Sequence, residues 1–448
     1  MRAPMKMKLP SPALAMLISV MAAPVYAENR PIPLQDSDFR AHSAAETRLG
    51  QLLFWDAELS GNRNISCGTC HHPRFGTSDG VSLSLGEGGV GLGPARKSDP
   101  ENLPEQRIPR NAPALFNLGV LNLTTIFHDG RIEADATRAN GFRTPLEDEM
   151  VSGFASLLSA QSMFPVLSPD EMAGHYSENE IAKAVRTGQL TGPDGAWERI
   201  AARVAAIPEY QAQFAAVYPE IGQGRPIHFT DISNAIAAFI SAEWRSDSAP
   251  FDAWLRDEAP LPPLAADGAA LFYGKAQCST CHSGPLLTDQ GFHAMGSPQL
   301  GPGKTERFET NQRDIGRMRV TNRAEDAYAF RTPSLRNITA TAPYGHAGGH
   351  SDLRAFVEYH AAPAQGLKTY QPQAILAEFA AAKPDWALAG DSAETQAITA
   401  AIRTPDVALS AYEITAILAF LETLTDPTAI AGRLGIPDRV PSGLPIDR

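Results

Sequence analysis

A mainly α fold in two similar domains, with long ordered loops, is what this sequence predicts, and three observations predict it. Period-two alternation of apolar and polar residues, the mark of half-buried strands, is scarce along the chain. Amphipathic helical stripes occur instead, one in each half. Ile232, Ile236, Phe239 and Ile240 share one helix face, and Ile414, Ile417, Leu418, Leu421 and Leu424 share another. The third observation is a weak internal repeat. Gly50-Gln-Leu-Leu53-Phe54 precedes Cys67-Gly-Thr-Cys70-His71, and Gly268-Ala-Ala-Leu271-Phe272 precedes Cys278-Ser-Thr-Cys281-His282. With 36 Gly and 36 Pro in 448 residues, much of the remainder is loop.

In chain order, the first element is a basic stretch of Arg2, Lys6 and Lys8 ahead of an apolar run from Ala13 to Ala23, closed by Val25-Tyr26-Ala27. That pattern reads as a secretory signal peptide, residues 1–27. The apolar run is too short for a stable membrane anchor. A buried N-terminal helix would not place three cations before the run and none within it. No cysteine follows Ala27 to take a lipid, and no later segment is long and apolar enough to cross a membrane.

The two Cys-x-x-Cys-His strings come next, and they use all four cysteines. In this pattern both thiols form thioethers to one porphyrin, and the histidine supplies an iron ligand. Zinc and a thioredoxin-like redox pair are the rival readings. Zinc would need both pairs in one tetrahedral site, although they lie more than two hundred residues apart. A redox pair needs no histidine directly after its second cysteine. Two covalent c-type haems, with His71 and His282 as proximal ligands, is therefore the reading adopted. A helix before and a helix after each motif is how small cytochrome domains wrap a porphyrin. The stripe at 414–424 also begins with a Ser410-x-x-Glu413 capping box.

The proline-rich Ala259-Pro-Leu-Pro-Pro-Leu264 reads as the connector between domains, giving 28–258 and 259–448. Loss of residues 1–27 takes the formal net charge from −12 to −15. That balance excludes nucleic acid as a partner, because phosphates demand Lys/Arg stripes. It suits solubility and the steering of a basic redox partner.

Beyond the haem motifs the chain resembles the bacterial di-haem cytochrome c peroxidase family, which includes MauG-type enzymes that oxidise protein side chains. The strings that carry the resemblance are colinear from about Leu49 to His360. In the first half they are Arg110-Asn111-Ala112-Pro113, Asp129-Gly130-Arg131 and Glu171-Met172. In the second they are Gly284-Pro285-x-Leu287-Thr288-Asp289, Phe292-His293, Arg331-Thr332-Pro333-Ser334-Leu335-Arg336-Asn337 and Thr341-Ala342-Pro343-Tyr344.

The resemblance implies a peroxide-binding haem in the first half, an electron-relay haem in the second, and a calcium ion between them. It implies reduction of hydrogen peroxide to water with electrons from a small periplasmic redox protein such as a cytochrome c or a cupredoxin. It places the family's distal Gln, Pro and Glu at Gln161, Pro165 and Glu171. Heterolysis of O–O needs a proton moved between the two oxygens, the task of a positioned carboxyl at Glu171. Read without the resemblance, Glu171 is an acidic residue in the first turn after Ser168-Pro169. Calcium would take the Asn111 side chain and the carbonyls of Thr341 and Pro343.

Four departures from the family pattern stand out. Residues 73–109 contain no histidine that could block the first haem, and His72 follows the proximal ligand too closely to reach the other face. His128 replaces the usual tryptophan before Asp129-Gly130-Arg131, either as a relay or as filler. About twenty extra residues, through Gly141–Pro145 and Glu147–Glu149, precede Gln161. Counting from His346, the distal ligand of the second haem falls on His360, with Tyr359 one register away and a solvated helix-end histidine as the bland alternative. A bis-His haem has a lower potential than a His/Met one.

Three functions remain to be weighed: a periplasmic di-haem peroxidase, a MauG-like enzyme oxidising side chains of a partner protein, and a non-catalytic di-haem electron carrier. A homodimer is among the assemblies open to the chain.

Overall fold

The chain enters its fold through α1 (Ala44–Phe54), started by Ser43, whose hydroxyl accepts the Glu46 N–H at 3.1 Å. The computed structural model describes residues 30–304, 312–379 and 385–448; the expected signal peptide lies outside them. α1 packs across α2 (Phe229–Glu243). In the second half α3 (Pro263–Tyr273) packs across α4 (Ala411–Glu422) in the same way. Each crossing is set by a glycine. A Cβ on Gly50 would lie 1.8 Å from the Ala235 carbonyl oxygen, and one on Gly268 would lie 1.9 Å from that of Ala416. These are the glycines of the Gly-x-x-Leu-Phe repeat, so the repeat is a helix-crossing motif.

The expected stripes face inward. Ile232, Ile236, Phe239 and Ile240 join a core with Leu49, Leu53, Phe54 and Trp244. Ile414, Ile417, Leu421 and Leu424 are buried and Leu418 is partly so; Ile417, Leu421 and Leu424 join Phe251, Phe272 and Phe420 in a second core. Phe54 lies 5.3 Å from Phe239, and Phe272 lies 5.1 Å from Phe420. Each buried aromatic contributes about 1.5–3 kcal/mol. The capping box of α4 is formed in both directions: the Glu413 N–H donates to Ser410 Oγ at 3.3 Å, and the Ser410 N–H donates to Glu413 Oε2 at 2.8 Å.

The correspondence between halves extends to Pro113-Ala-Leu-Phe-Asn117 and Pro333-Ser-Leu-Arg-Asn337. Both asparagines sit at positive φ, 58° and 60°. Asn117 N–H donates to Trp244 O and Asn337 N–H to Leu424 O, each at 3.1 Å, just past the ends of α2 and α4. Their side chains meet at Ser246: Asn117 Nδ2 donates to its carbonyl at 2.8 Å, and Asn337 Nδ2 to its hydroxyl at 3.0 Å.

Strands are short among the described residues, two or three residues each. Thr125–Ile126, Ile132–Ala134 and Phe142–Arg143 form an antiparallel sheet in that order, so the segment after Asp129-Gly130-Arg131 is an ordered meander. Arg143 pairs with Glu133 at 2.6 Å, and Arg138 pairs with Glu147 and Asp148. Phe292–His293 pairs with Phe330–Arg331. After α4 the chain returns to the first half. Ala429 and Val440 join the first core, Ser442 Oγ donates to Asp56 at 2.6 Å, and Asp447 accepts from Thr69 Oγ1 at 2.6 Å. No described helix is long and apolar enough to cross a membrane.

Candidate functional site

Cys67–Cys70 forms a single helical turn seated on Trp55, so close that a Cβ on Gly68 would lie 2.3 Å from the indole. The His71 N–H donates to Cys67 O at 2.9 Å, and the His282 N–H donates to Cys278 O at the same distance. The two imidazoles are held alike. His71 Nδ1 lies 3.0 Å from Thr77 O, and His282 Nδ1 lies 3.0 Å from Leu287 O. A carbonyl can only accept, so Nδ1 carries the proton and Nε2 keeps its lone pair. Burial lowers both pKa values, which favours the neutral, ligating form. This is the tautomer and support that a metal-bound histidine requires.

The thiols argue the same way. Burial pushes Cys67 and Cys70 up to about 12 and Cys278 up to about 11. A redox-active or zinc-binding pair needs thiolate at neutral pH, which burial opposes at these three residues. Cys281 Sγ, Asp289 and His293 do come within 4.8 Å of one another, but a thioether sulfur at Cys281 is no longer a thiolate ligand.

On the other side of the first motif the chain forms a wide turn at Pro169–Ala173, following a turn at Pro165–Leu167. Ser168 O accepts the N–H groups of Glu171, Met172 and Ala173 at 3.2, 3.0 and 2.9 Å. The turn is pinned from outside as well: Glu87 N–H donates to Asp170 O at 3.0 Å and Gly61 N–H to Met172 O at 2.8 Å. A Cβ on Gly86 would lie 2.1 Å from Asp170 O. Met172 and Ala173 face the core, which turns Glu171 the other way. Burial raises the Glu171 pKa, against the opposing charges of Lys304 and Arg131. Its charge also registers on Cys70, placing the carboxyl near that motif. Gln161 closes the short helix Leu157–Gln161 and is half-buried, as Pro165 is. Lys304 was missed in the sequence, where a lone lysine among glycines gives no signal.

His72 is buried edge-on against Trp55, ring centres 5.5 Å apart, and its Nδ1 accepts the Arg74 N–H at 3.1 Å. His175, also unnoticed in sequence, is buried with Nδ1 3.5 Å from Glu105.

Between the halves, His128 Nε2 lies 3.1 Å from Asn111 O. Burial, then Arg110 and His346, pushes its pKa down to about 3, so the ring is neutral. Arg110 binds Asp314 through Nε at 2.7 Å and Nη2 at 2.8 Å, and reaches Asp129 at 2.7 Å. Asn111 Nδ2 donates to Val81 O at 2.8 Å. A Cβ on Gly348 would touch both Asn111 Nδ2 and Pro343 Cγ at 3.1 Å, so these two residues adjoin. Thr341 lies nearby, against Gly76.

Facing the second motif, His360 lies near the end of the helix Leu353–Ala361 and lines a cavity with Met295, Tyr344, His346, His350 and Tyr359. Burial, then His282, pushes His360 down to about 4, so the two imidazoles are neighbours. Tyr359 is committed elsewhere, donating its hydroxyl to Gly296 O inside a cluster with Tyr328, Leu367 and Ile398. Met295 and His350 went unnoticed in sequence because neither stands in a motif.

With this geometry in hand, comparison with known proteins is informative. The sequence profile of the family described as di-haem cytochrome c peroxidase matches residues 44–260. The methylamine utilization protein MauG of Methylorubrum extorquens is 30% identical over 316 residues, 70% of this chain and 67% of that protein. A cytochrome c551 peroxidase of Pseudomonas aeruginosa is 30% identical over 328 residues, 72% of this chain and 75% of that protein. Among solved structures, a MauG-like protein associated with microbial copper homeostasis aligns with a TM-score of 0.55 and 25% identity, covering 92% of this chain and 97% of that one.

Proposed function

The chain belongs to the di-haem cytochrome c peroxidase family, and on that premise we propose that it is an exported enzyme that reduces hydrogen peroxide to water. Electrons would come from a small periplasmic redox protein, such as a cytochrome c or a cupredoxin. The peroxidase-type oxidoreductase class follows from the family itself. Haem c at each Cys-x-x-Cys-His motif would supply iron and one-electron chemistry when bound. Cys67, Cys70 and His71 hold one haem in the domain 28–258; Cys278, Cys281, His282 and His360 hold the other in 259–448.

The observation that carries the reading is Glu171, a half-buried carboxyl held in a pinned turn, with its pKa raised by burial. Such a group takes a proton from the nearer peroxide oxygen and returns it to the farther one, so that water leaves instead of hydroxide. Two further protons and two electrons complete the reduction to two waters. Lys304 and Arg131 oppose the shift and keep the carboxyl titratable. Gln161 and Pro165 border the approach to it, and neutral His128 lies between the halves. Calcium at Asn111, Thr341 and Pro343 would tie the halves beside it.

The test is Glu171→Gln, which keeps volume and removes the titration. Both haems and their spectra are expected to persist while the reaction with peroxide slows by roughly 10²- to 10⁴-fold. Near-normal peroxide reactivity in the folded, fully loaded variant would refute the assignment. A MauG-like oxidation of a partner protein is the second reading, favoured by the absence of a histidine from residues 73–109. It predicts covalent change in a partner, with no sustained turnover of reduced cytochrome. A non-catalytic carrier would instead need a sixth protein ligand at the first haem.

A further inference from the structure

Arg331 is a buried cation to which the described residues offer no carboxylate. Its neighbours in the second half and along the seam are all paired: Arg110 with Asp129 and Asp314, Arg317 with Glu133, and Arg336 with Asp252. Arg331 has carbonyls instead. Its Nε donates to Phe127 O at 3.1 Å, and Nη1 lies 3.4 Å from Thr332 O. Burial alone pushes its pKa down, to about 10. The side chain nevertheless keeps some accessible surface. Arginine does not shed its proton in proteins, so this charge calls for an anion that the described residues do not supply.

The surrounding backbone says which anion. Arg331 N–H donates to His128 O at 2.8 Å, and the next residues reach the second motif. Thr288 Oγ1 donates to Thr332 O at 2.7 Å, and the Pro333 carbonyl is a hydrogen-bond partner of His282. The guanidinium thus stands between the imidazole support of the second motif and Phe127-His128 of the first half. A haem brings two propionate carboxylates, and the planar fork of arginine matches a carboxylate. We propose that Arg331 binds a propionate of the haem held by His282 and so fixes that haem's carboxylate edge at the seam between the halves. The inference rests on the two-haem reading above and assigns Arg331 as a positioning residue.

A cation on the propionate offsets negative charge near the iron and favours its ferrous form. It also keeps the propionate ionised, so the potential does not follow its titration. The experiment uses the full holoprotein with Arg331→Met and Arg331→Lys. It reads haem number, the midpoint potential of the low-spin haem from pH 5.5 to 8.5, and the propionate bending band in resonance Raman. Arg331→Met is expected to lower the potential and make it newly pH-dependent; Arg331→Lys should restore the potential yet shift the Raman band. An unchanged potential and pH slope in a fully loaded Arg331→Met protein would overturn the proposal. So would equal shifts in both variants. Should Arg331→Met fail to mature, the Lys variant decides alone: an unmoved propionate band refutes the contact. Peroxide turnover enters none of these readouts, so a chain with two haems and no peroxidase activity would fail the functional reading and leave this one standing.

Discussion

Single residues in this protein are defined by what burial does to their charge. Tyr359 and His360 are adjacent in sequence, yet one donates its hydroxyl to Gly296 O while the other faces His282. His360→Ala is therefore expected to convert the low-spin signal of the second haem to high-spin in electron paramagnetic resonance, and Tyr359→Phe to leave it low-spin. The reverse outcome would move the ligand by one register. Asp79 is a second case. It is 4% exposed, its Oδ1 accepts the Val81 N–H at 3.2 Å, and burial pushes it up to about 7. Its pKa is raised on folding, so its contribution is complete below the ordinary carboxylate range, near pH 4, and is lost as pH rises to 7. The loss amounts to about 4 kcal/mol. Asp79→Asn should flatten the stability profile between pH 4 and 8 in urea titrations. Parallel profiles for variant and parent would show that Asp79 does not titrate there.

At the scale of elements, the two helix crossings depend on the absence of a side chain at Gly50 and Gly268. Ala at Gly268 would press its Cβ into the Ala416 backbone, which cannot rotate away as a side chain can. Gly268→Ala is expected to cost at least about 1–3 kcal/mol and to lower the calorimetric transition. Gly390→Ala, with nothing within 4 Å, should not. Equal transitions for the two variants would mean the helices slide apart freely. These elements were legible early: the stripes of α2 and α4 and the capping box at Ser410 follow from helical period alone. The turn that carries Glu171 was less so. It was expected as the first turn of a helix and is one wide turn, because Gly86 lets a neighbouring loop approach Asp170 O and Gly174 ends it at φ 88°.

For the whole molecule, charge links the halves. Arg110 joins Asp129 of the first half to Asp314 of the second, and all three are nearly inaccessible. Despite burial, Arg131 and then Arg110 hold Asp129 well below the usual carboxylate range, and Arg110 does the same for Asp314. Depressed pKa values give stability above about pH 4 that disappears as pH falls through the lowered values. Arg110→Met leaves the buried Asp314 without its arginine, while Asp129 keeps Arg131 at 3.2 Å, so it is expected to cost about 3–5 kcal/mol at neutral pH. The deficit should shrink in acid, where both aspartates protonate. A deficit independent of pH in chemical denaturation would assign the loss to packing.

The sequence by itself determined the features whose cause is local. Two Cys-x-x-Cys-His motifs, two amphipathic helices, a capping box and a weak repeat between the halves depend on residues within a turn or two of one another. The near-symmetry of the halves could have been read further, since Pro-x-Leu-x-Asn at 113–117 and 333–337 is plain once its role is known. What only the tertiary structure decided depends on residues distant in the chain. That Asp447 reaches Thr69 inside the first haem motif, that Arg110 finds Asp314, and that Arg331 finds no acid among the described residues are consequences of chain return. Burial made those pairings matter. A charge in water is nearly indifferent to its partner, whereas one removed from water is not, and desolvation belongs to the folded chain alone.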